Sequence, residues 1–182
     1  TVRGQRQTYR PIVSTLAAGS EPVTLARALC DHTASRHLYL ADLDALMGGV
    51  AQHEVLRDLL DALPGTELWL DAGFADVAAA DALCHRLGAA AGCIVPVFGS
   101  ESLRSPDALH AVRRCERAIV SLDRRDGQRL DRAGCWDATE HWPERVIVMT
   151  LERVGADAGP DLETLRELQA RSPRTRFVGA GG

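Results

Sequence analysis

A chain of 182 residues with 46% hydrophobic and 25% charged residues carries enough apolar content to bury a full core, and this composition excludes disorder. Its 21 basic and 25 acidic residues are interspersed and leave a net charge of -4, so no electrostatic footprint for nucleic acid is expected, and Arg113-Arg114 and Arg124-Arg125 read as solvated faces. No apolar run approaches the ~20 residues a membrane helix needs and no leader pattern opens the chain, so neither a membrane nor a nucleic-acid partner is expected and the location expected is cytoplasmic.

Short apolar runs alternate with helical stretches. The first run is Leu38 to Ala41, preceded by a helix over Val23 to His32 that the Ser20-Glu21-Pro22 start signal introduces. A helix over Val50 to Leu63 follows and stops at Pro64-Gly65. Next come the run Leu68 to Leu70, a helix over Ala75 to Leu87 ending at Gly88, and the run Cys93 to Phe98. Ser105 to Cys115 predicts a helix with Pro106 in its first turn, and Ala118 to Leu122 the next strand. Segment 124–145 is weaker: Arg124 to Arg132 reads as a hairpin or loop around Asp126-Gly127, and Asp137 to Glu140 as the start of a short helix. Val146 to Met149, a helix over Asp161 to Arg171 and Arg176 to Gly179 complete the series. Strand starts recur at roughly 25 to 30 residues, the size of one strand plus one crossover helix.

Strict alternation implies a parallel α/β sheet, either doubly wound or closed into a (β/α)8 barrel. The chain has no GxGxxG or GxxxxGK[ST] motif after its first strands, which takes away the usual mark of a nucleotide-binding sheet. Residues 1–182 are expected to form one domain of repeating strand–helix units, and the family resemblance given below implies that it is a TIM barrel, incomplete at both ends, lacking the start of its first strand and its last strand–helix unit.

In such a barrel the chemistry sits at the C-terminal ends of the strands. The polar residues there are Asp42 and Asp44, Asp71 and Gly73, Gly99 and Ser100, Asp123, Thr150, and Gly179 to Gly182. A carboxylate in this position suits general acid–base work, or it caps the next helix. A glycine-rich strand end suits a phosphate, or it forms a tight turn. The five cysteines are scattered and read as reduced, and the six histidines form no HxH or HExxH cluster, so no metal and no cofactor is implied.

These residues carry a family resemblance. Leu38-Tyr39-Leu40-Ala41-Asp42-Leu43-Asp44-Ala45 followed by Gly48-Gly49 resembles the second-strand motif of the barrel family containing phosphoribosylformimino-AICAR-phosphate isomerase and the cyclase subunit of imidazole glycerol phosphate synthase. Thr1 to Gly4 is similar to the stretch after that family's first strand, and Ile94 to Ser100 to its fourth strand and phosphate turn. Ser121-Leu122-Asp123 with Asp126-Gly127 resembles the fifth strand, and Val178 to Gly182 the seventh-strand "SGG" phosphate loop. The resemblance covers essentially the whole chain in order.

By that resemblance Asp123 stands at the family's second catalytic aspartate, Gly181 and Gly182 bind one substrate phosphate, Gly99 and Ser100 lie on the same rim, and Asp71 and Gly73 occupy the third-strand position that anchors the other phosphate. In the isomerase one aspartate protonates the furanose ring oxygen and another removes the C2 proton, an Amadori rearrangement. Two departures bear on the substrate. Asp71-Ala72-Gly73-Phe74 places a carboxylate where the family has a glycine-rich phosphate loop, and Leu151 stands where the sixth-strand motif has an acid.

The pattern thus resembles divergent isomerase-like proteins associated with tetrahydromethanopterin-linked one-carbon metabolism. This implies an isomerase, or a related lyase or cyclase, acting on a phosphorylated small molecule of cofactor synthesis without a cofactor of its own. Asp123 and Asp42 are its expected catalytic carboxylates, with Gly99, Ser100, Gly179, Gly181, Gly182, Asp71, Gly73 and Thr150 expected around the phosphate. The alternatives are the authentic histidine-pathway isomerase and a barrel subunit without catalysis; oligomeric state is open.

Overall fold

The computed structural model describes residue 6, residues 9–11 and residues 13–181; Thr1 to Gly4 and Gly182 lie outside the described residues. The elements, in chain order, are α1 (Pro22–Thr33), β1 (His37–Ala41), α2 (Leu43–Leu46), α3 (His53–Ala62), β2 (Glu67–Asp71), α4 (Val77–Leu87), β3 (Ile94–Gly99), α5 (Pro106–Val112), β4 (Ile119–Arg125), β5 (Gln128–Arg129), β6 (Arg145–Thr150), α6 (Leu162–Arg171) and β7 (Arg176–Ala180). Each apolar run expected to be a strand is one.

Local chemistry sets the helix boundaries. Glu21 accepts from the N–H groups of Val23 and Thr24 and starts α1, while Asp76, Ser105 and Asp161 cap α4, α5 and α6. The helix expected over 50–63 is shorter, starting at His53, and a separate single turn, α2, stands before it. In the weak segment, Asp126 and Gly127 both have positive φ, 49° and 76°, and Arg125 pairs with Gln128. That is the two-residue hairpin geometry that joins antiparallel strands without splaying them.

Strands β1, β2, β3, β4, β6 and β7 lie side by side in that order, all parallel, and β5 pairs antiparallel with β4. The edges are β1 and β7, so the described residues form an open sheet. Closure into an eight-stranded barrel is not seen in them.

The two faces of the sheet differ in what covers them. Leu68, Leu70, Phe98, Val120, Leu122, Val146 and Val148 point one way and join the core residues of α3 to α6 in a single cluster. On the other face Val95, Val97, Ile119, Ile147 and Met149 pack on one another and on Trp69, with no α-helical residue among them. A doubly wound sheet has helices on both faces and a reversal of strand order; here the order runs straight and the helices lie on one face. This is the layering of a barrel wall, with an apolar interior lined by alternate strand residues. Among the described residues no helix is long and apolar enough to cross a membrane.

The N-terminal end of that inner face is closed by charge. The Glu67 carboxylate accepts from Arg145 at 2.9 Å, Arg117 at 3.1 Å and the Trp69 indole at 3.1 Å, with His37 3.6 Å away. Burial works against the charged form, yet these donors, Arg145 first, hold the Glu67 carboxyl down to about 2. A folded value below the unfolded one stabilises the protein above about pH 4.5, and that contribution is lost as pH falls toward 2. Replacing Glu67 with Gln is expected to cost about 1 to 2 kcal/mol at pH 7 and to flatten the acid limb of stability, read from urea unfolding at several pH values.

Candidate active site

The opposite, C-terminal end of the inner face holds carboxyls. Asp123 lies on β4 in step with Ile119 and Ser121, so strand alternation turns it to the uncovered face. It is 3% exposed. Its Oδ1 accepts from the Ser121 hydroxyl at 2.6 Å, and its Oδ2 from the Glu101 backbone N–H at 3.3 Å and, more weakly, from the Ser100 hydroxyl at 3.4 Å. Gly99 makes the approach possible, since a Cβ there would sit 3.0 Å from Asp123 Oδ2. Burial first, and then the nearby Asp71 charge, push the Asp123 carboxyl up to about 8. At neutral pH it carries its proton and can act as an acid.

Asp71 ends β2 in step with Glu67 and Trp69, on the same inner face. Its Oδ2 accepts from the Tyr39 hydroxyl of β1 at 3.1 Å and its Oδ1 from the Gly73 N–H at 3.2 Å; Gly73 takes φ +68° to present that N–H. Burial raises this carboxyl to about 6 against the lowering effect of those two donors. Glu101 adds negative charge near both aspartates and is paired with Arg6. Sequence reasoning assigned Asp71 to phosphate; the available signal was its spacing of two from Trp69 and four from Glu67, which puts all three on one face.

The other expected site residues are placed differently. Asp42 follows Leu38 and Leu40, which pack toward the helices, and its carboxylate caps α2 through Ala45 N–H at 3.1 Å and binds Gln52 N–H at 2.8 Å. Asp42 is thus the structural cap of the α2–α3 loop. Thr150 lies in step with Val146 and Val148, and its hydroxyl reaches Asp161 Oδ2 at 3.4 Å beside Arg124 on the helix side. Ser100 has no exposure at all and ties β3 to β4 and the hairpin, accepting from Asp123 N–H at 2.9 Å and donating to Leu130 O at 2.7 Å.

The glycines also divide. Gly179 faces α6: an added Cβ would lie 2.7 Å from Leu165 Cδ1 and 2.8 Å from Pro160 Cβ. Gly179→Ala is therefore expected to destabilise the protein by about 1 to 3 kcal/mol through overpacking, measured as a lower urea midpoint with unchanged m-value. Gly181, just past β7, has φ +124° and lies against Arg153, which leaves its backbone at the rim. Gly182 is outside the described residues. Among the described residues no group of three or more His, Cys, Asp or Glu side chains is arranged to hold a metal ion.

The geometry thus gives two buried carboxyls of unequal proton affinity on the inner face of a barrel-type sheet. Among curated proteins no match to the chain is found. The family model described as "Histidine biosynthesis protein" matches residues 13–182, which takes in every strand and helix described above. The chain belongs to the histidine biosynthesis protein family.

Proposed function

We propose that this chain carries the active site of an acid–base isomerase, or of a related lyase or cyclase, acting on a singly phosphorylated small molecule. The observation that supports this reading is Asp123, a carboxyl buried at the C-terminal end of a barrel strand and held by hydroxyl and backbone donors, with no ion pair among the described residues. Such a group keeps a proton at neutral pH and can deliver it to an oxygen of bound substrate. The phosphate end is assigned to the backbone at Gly181, just past β7, where φ of +124° and the lack of a side chain let an anion approach the main chain.

A second phosphate is disfavoured at the end of β2. Asp71 occupies that position, and like charge there would repel it. The reading therefore sets the chain apart from the two-phosphate isomerase of histidine synthesis. The narrower assignment, a singly phosphorylated intermediate of tetrahydromethanopterin-type cofactor synthesis, draws its support from the two departures from the isomerase pattern, Asp71-Ala72-Gly73-Phe74 and Leu151.

Two experiments test the reading. The full-length protein is incubated in D2O with a panel of phosphorylated aldoses, ketoses and aminosugars, and carbon-bound deuterium is followed by NMR. Exchange or isomerisation of a monophosphate is expected, whereas no turnover across the panel together with no binding of inorganic phosphate would leave a barrel without catalysis. The full-length gene is also introduced into a histidine auxotroph lacking the isomerase. No growth is expected; growth without histidine would show that the two-phosphate substrate is accepted.

A further inference from the structure

We infer that Asp71, oriented by Tyr39, is the second proton-transfer carboxyl of this site and the working partner of Asp123. The inference rests on the acid–base reading above and names its second group. Three features of Asp71 point to this role beyond that of a turn residue.

First, Asp71 caps no helix: α4, the next helix, is capped by Asp76, whose Oδ1 accepts from Ala79 N–H at 2.8 Å. Second, it is 5% exposed on the inner face, where strand alternation also places Asp123, and Asp71 is the charge that acts most strongly on the Asp123 carboxyl. Third, one Oδ is fixed by the Gly73 N–H and the other by the Tyr39 hydroxyl, so the group is oriented by two neutral donors, and among the described residues it forms no ion pair. The charged and titratable groups around it are Tyr39 from β1, Asp123 from β4, and Glu101 with Arg6 beyond β3. Burial and the neighbouring carboxyls push the Tyr39 hydroxyl well above its ordinary value, which keeps it a donor to Asp71.

The two groups balance as one proton cycle. For an aldose–ketose shift, the Asp71 carboxylate takes the C2 proton, the C2–H electrons form the C1–C2 double bond, and Asp123 protonates the C1 oxygen to give an enediol. In the second half Asp71 returns its proton to C1 while the Asp123 carboxylate takes the proton of the C2 hydroxyl. Both residues end as they began, and no oxidant or co-reactant is needed.

The test is carboxyl 13C NMR of the full-length protein across pH in wild type, Asp71→Asn, Tyr39→Phe and Asp42→Asn. Asn keeps the Gly73 N–H contact and cannot carry the proton. Asp71→Asn is expected to lower the Asp123 midpoint by about one unit, because a like charge is removed. Tyr39→Phe is expected to raise the Asp71 midpoint, and Asp42→Asn to leave both midpoints in place. An Asp123 midpoint that stays raised and does not move in Asp71→Asn overturns the pairing while leaving the acid–base reading intact. An Asp123 midpoint already at the ordinary carboxylate value in wild type overturns that reading as well.

Discussion

Asp123→Asn is expected to make the protein more stable at pH 8 while removing its turnover. The folded Asp123 carboxyl is raised to about 8 and the unfolded one lies near 3.8, so across this window the folded state holds a proton that the unfolded state releases. Stability of the wild type therefore falls as pH rises from 4 to 8, by on the order of 4 kcal/mol at the upper end. Asp71, raised to about 6, adds a slope of the same sign over the lower half of the window. The amide of Asn fits the site: its oxygen can accept from Glu101 N–H and its amino group can donate to the Ser121 oxygen. Urea unfolding of the variant should show little pH dependence between 6 and 8 and a higher midpoint than wild type at pH 8. Its turnover of any substrate of the wild type should fall by roughly 10²- to 10⁴-fold, the usual contribution of a placed proton donor. A destabilised variant with unchanged turnover would contradict both expectations.

Ser100→Ala is expected to be the most damaging of the small replacements. The hydroxyl has no exposure and joins three segments, taking the Asp123 N–H and giving its proton to Leu130 O. Alanine leaves the buried Asp123 N–H without a partner, at about 1 to 3 kcal/mol, and takes a donor from the half-buried Leu130 carbonyl at a smaller cost. The expected loss is roughly 2 to 4 kcal/mol by denaturant unfolding. Because the Asp123 backbone then loses its anchor to β3, the Asp123 midpoint should also move. Ser100→Thr, which keeps the hydroxyl, should recover most of the midpoint even where its extra methyl costs packing.

Much of this architecture is legible in the residues themselves. The apolar runs at 38–41, 68–70, 93–98, 118–122, 146–149 and 176–179 announce their strands because one side of each central strand packs on helices and the other on its neighbours' inward side chains, so both sides read as apolar. That same property hides which face each residue takes. Leu38-Tyr39-Leu40 is apolar throughout, so nothing local shows that Asp42 shares the helix-facing side of Leu38 and Leu40 while Tyr39 turns inward. Pairing supplies the missing information: Tyr39 of β1 meets Asp71 of β2 through its hydroxyl.

The glycines were ambiguous for a related reason. Gly179 and Gly181 look alike in Gly179-Ala180-Gly181, but only their neighbours in space, Leu165 and Pro160 against the first and Arg153 against the second, separate a packing glycine from a rim glycine. Asp71 was the hardest to read, because position alone suggested phosphate. Its burial and its two donors are tertiary facts.

A carboxyl kept protonated at neutral pH on the inner rim is read by pH titration of the Asp123 carboxyl carbon in the wild-type protein, assigned by its loss in Asp123→Asn. A midpoint near 8 is expected, well above the ordinary 3.8. A midpoint near 4 would mean that Asp123 is ionised throughout the physiological range, and the acid–base account of this site would fall.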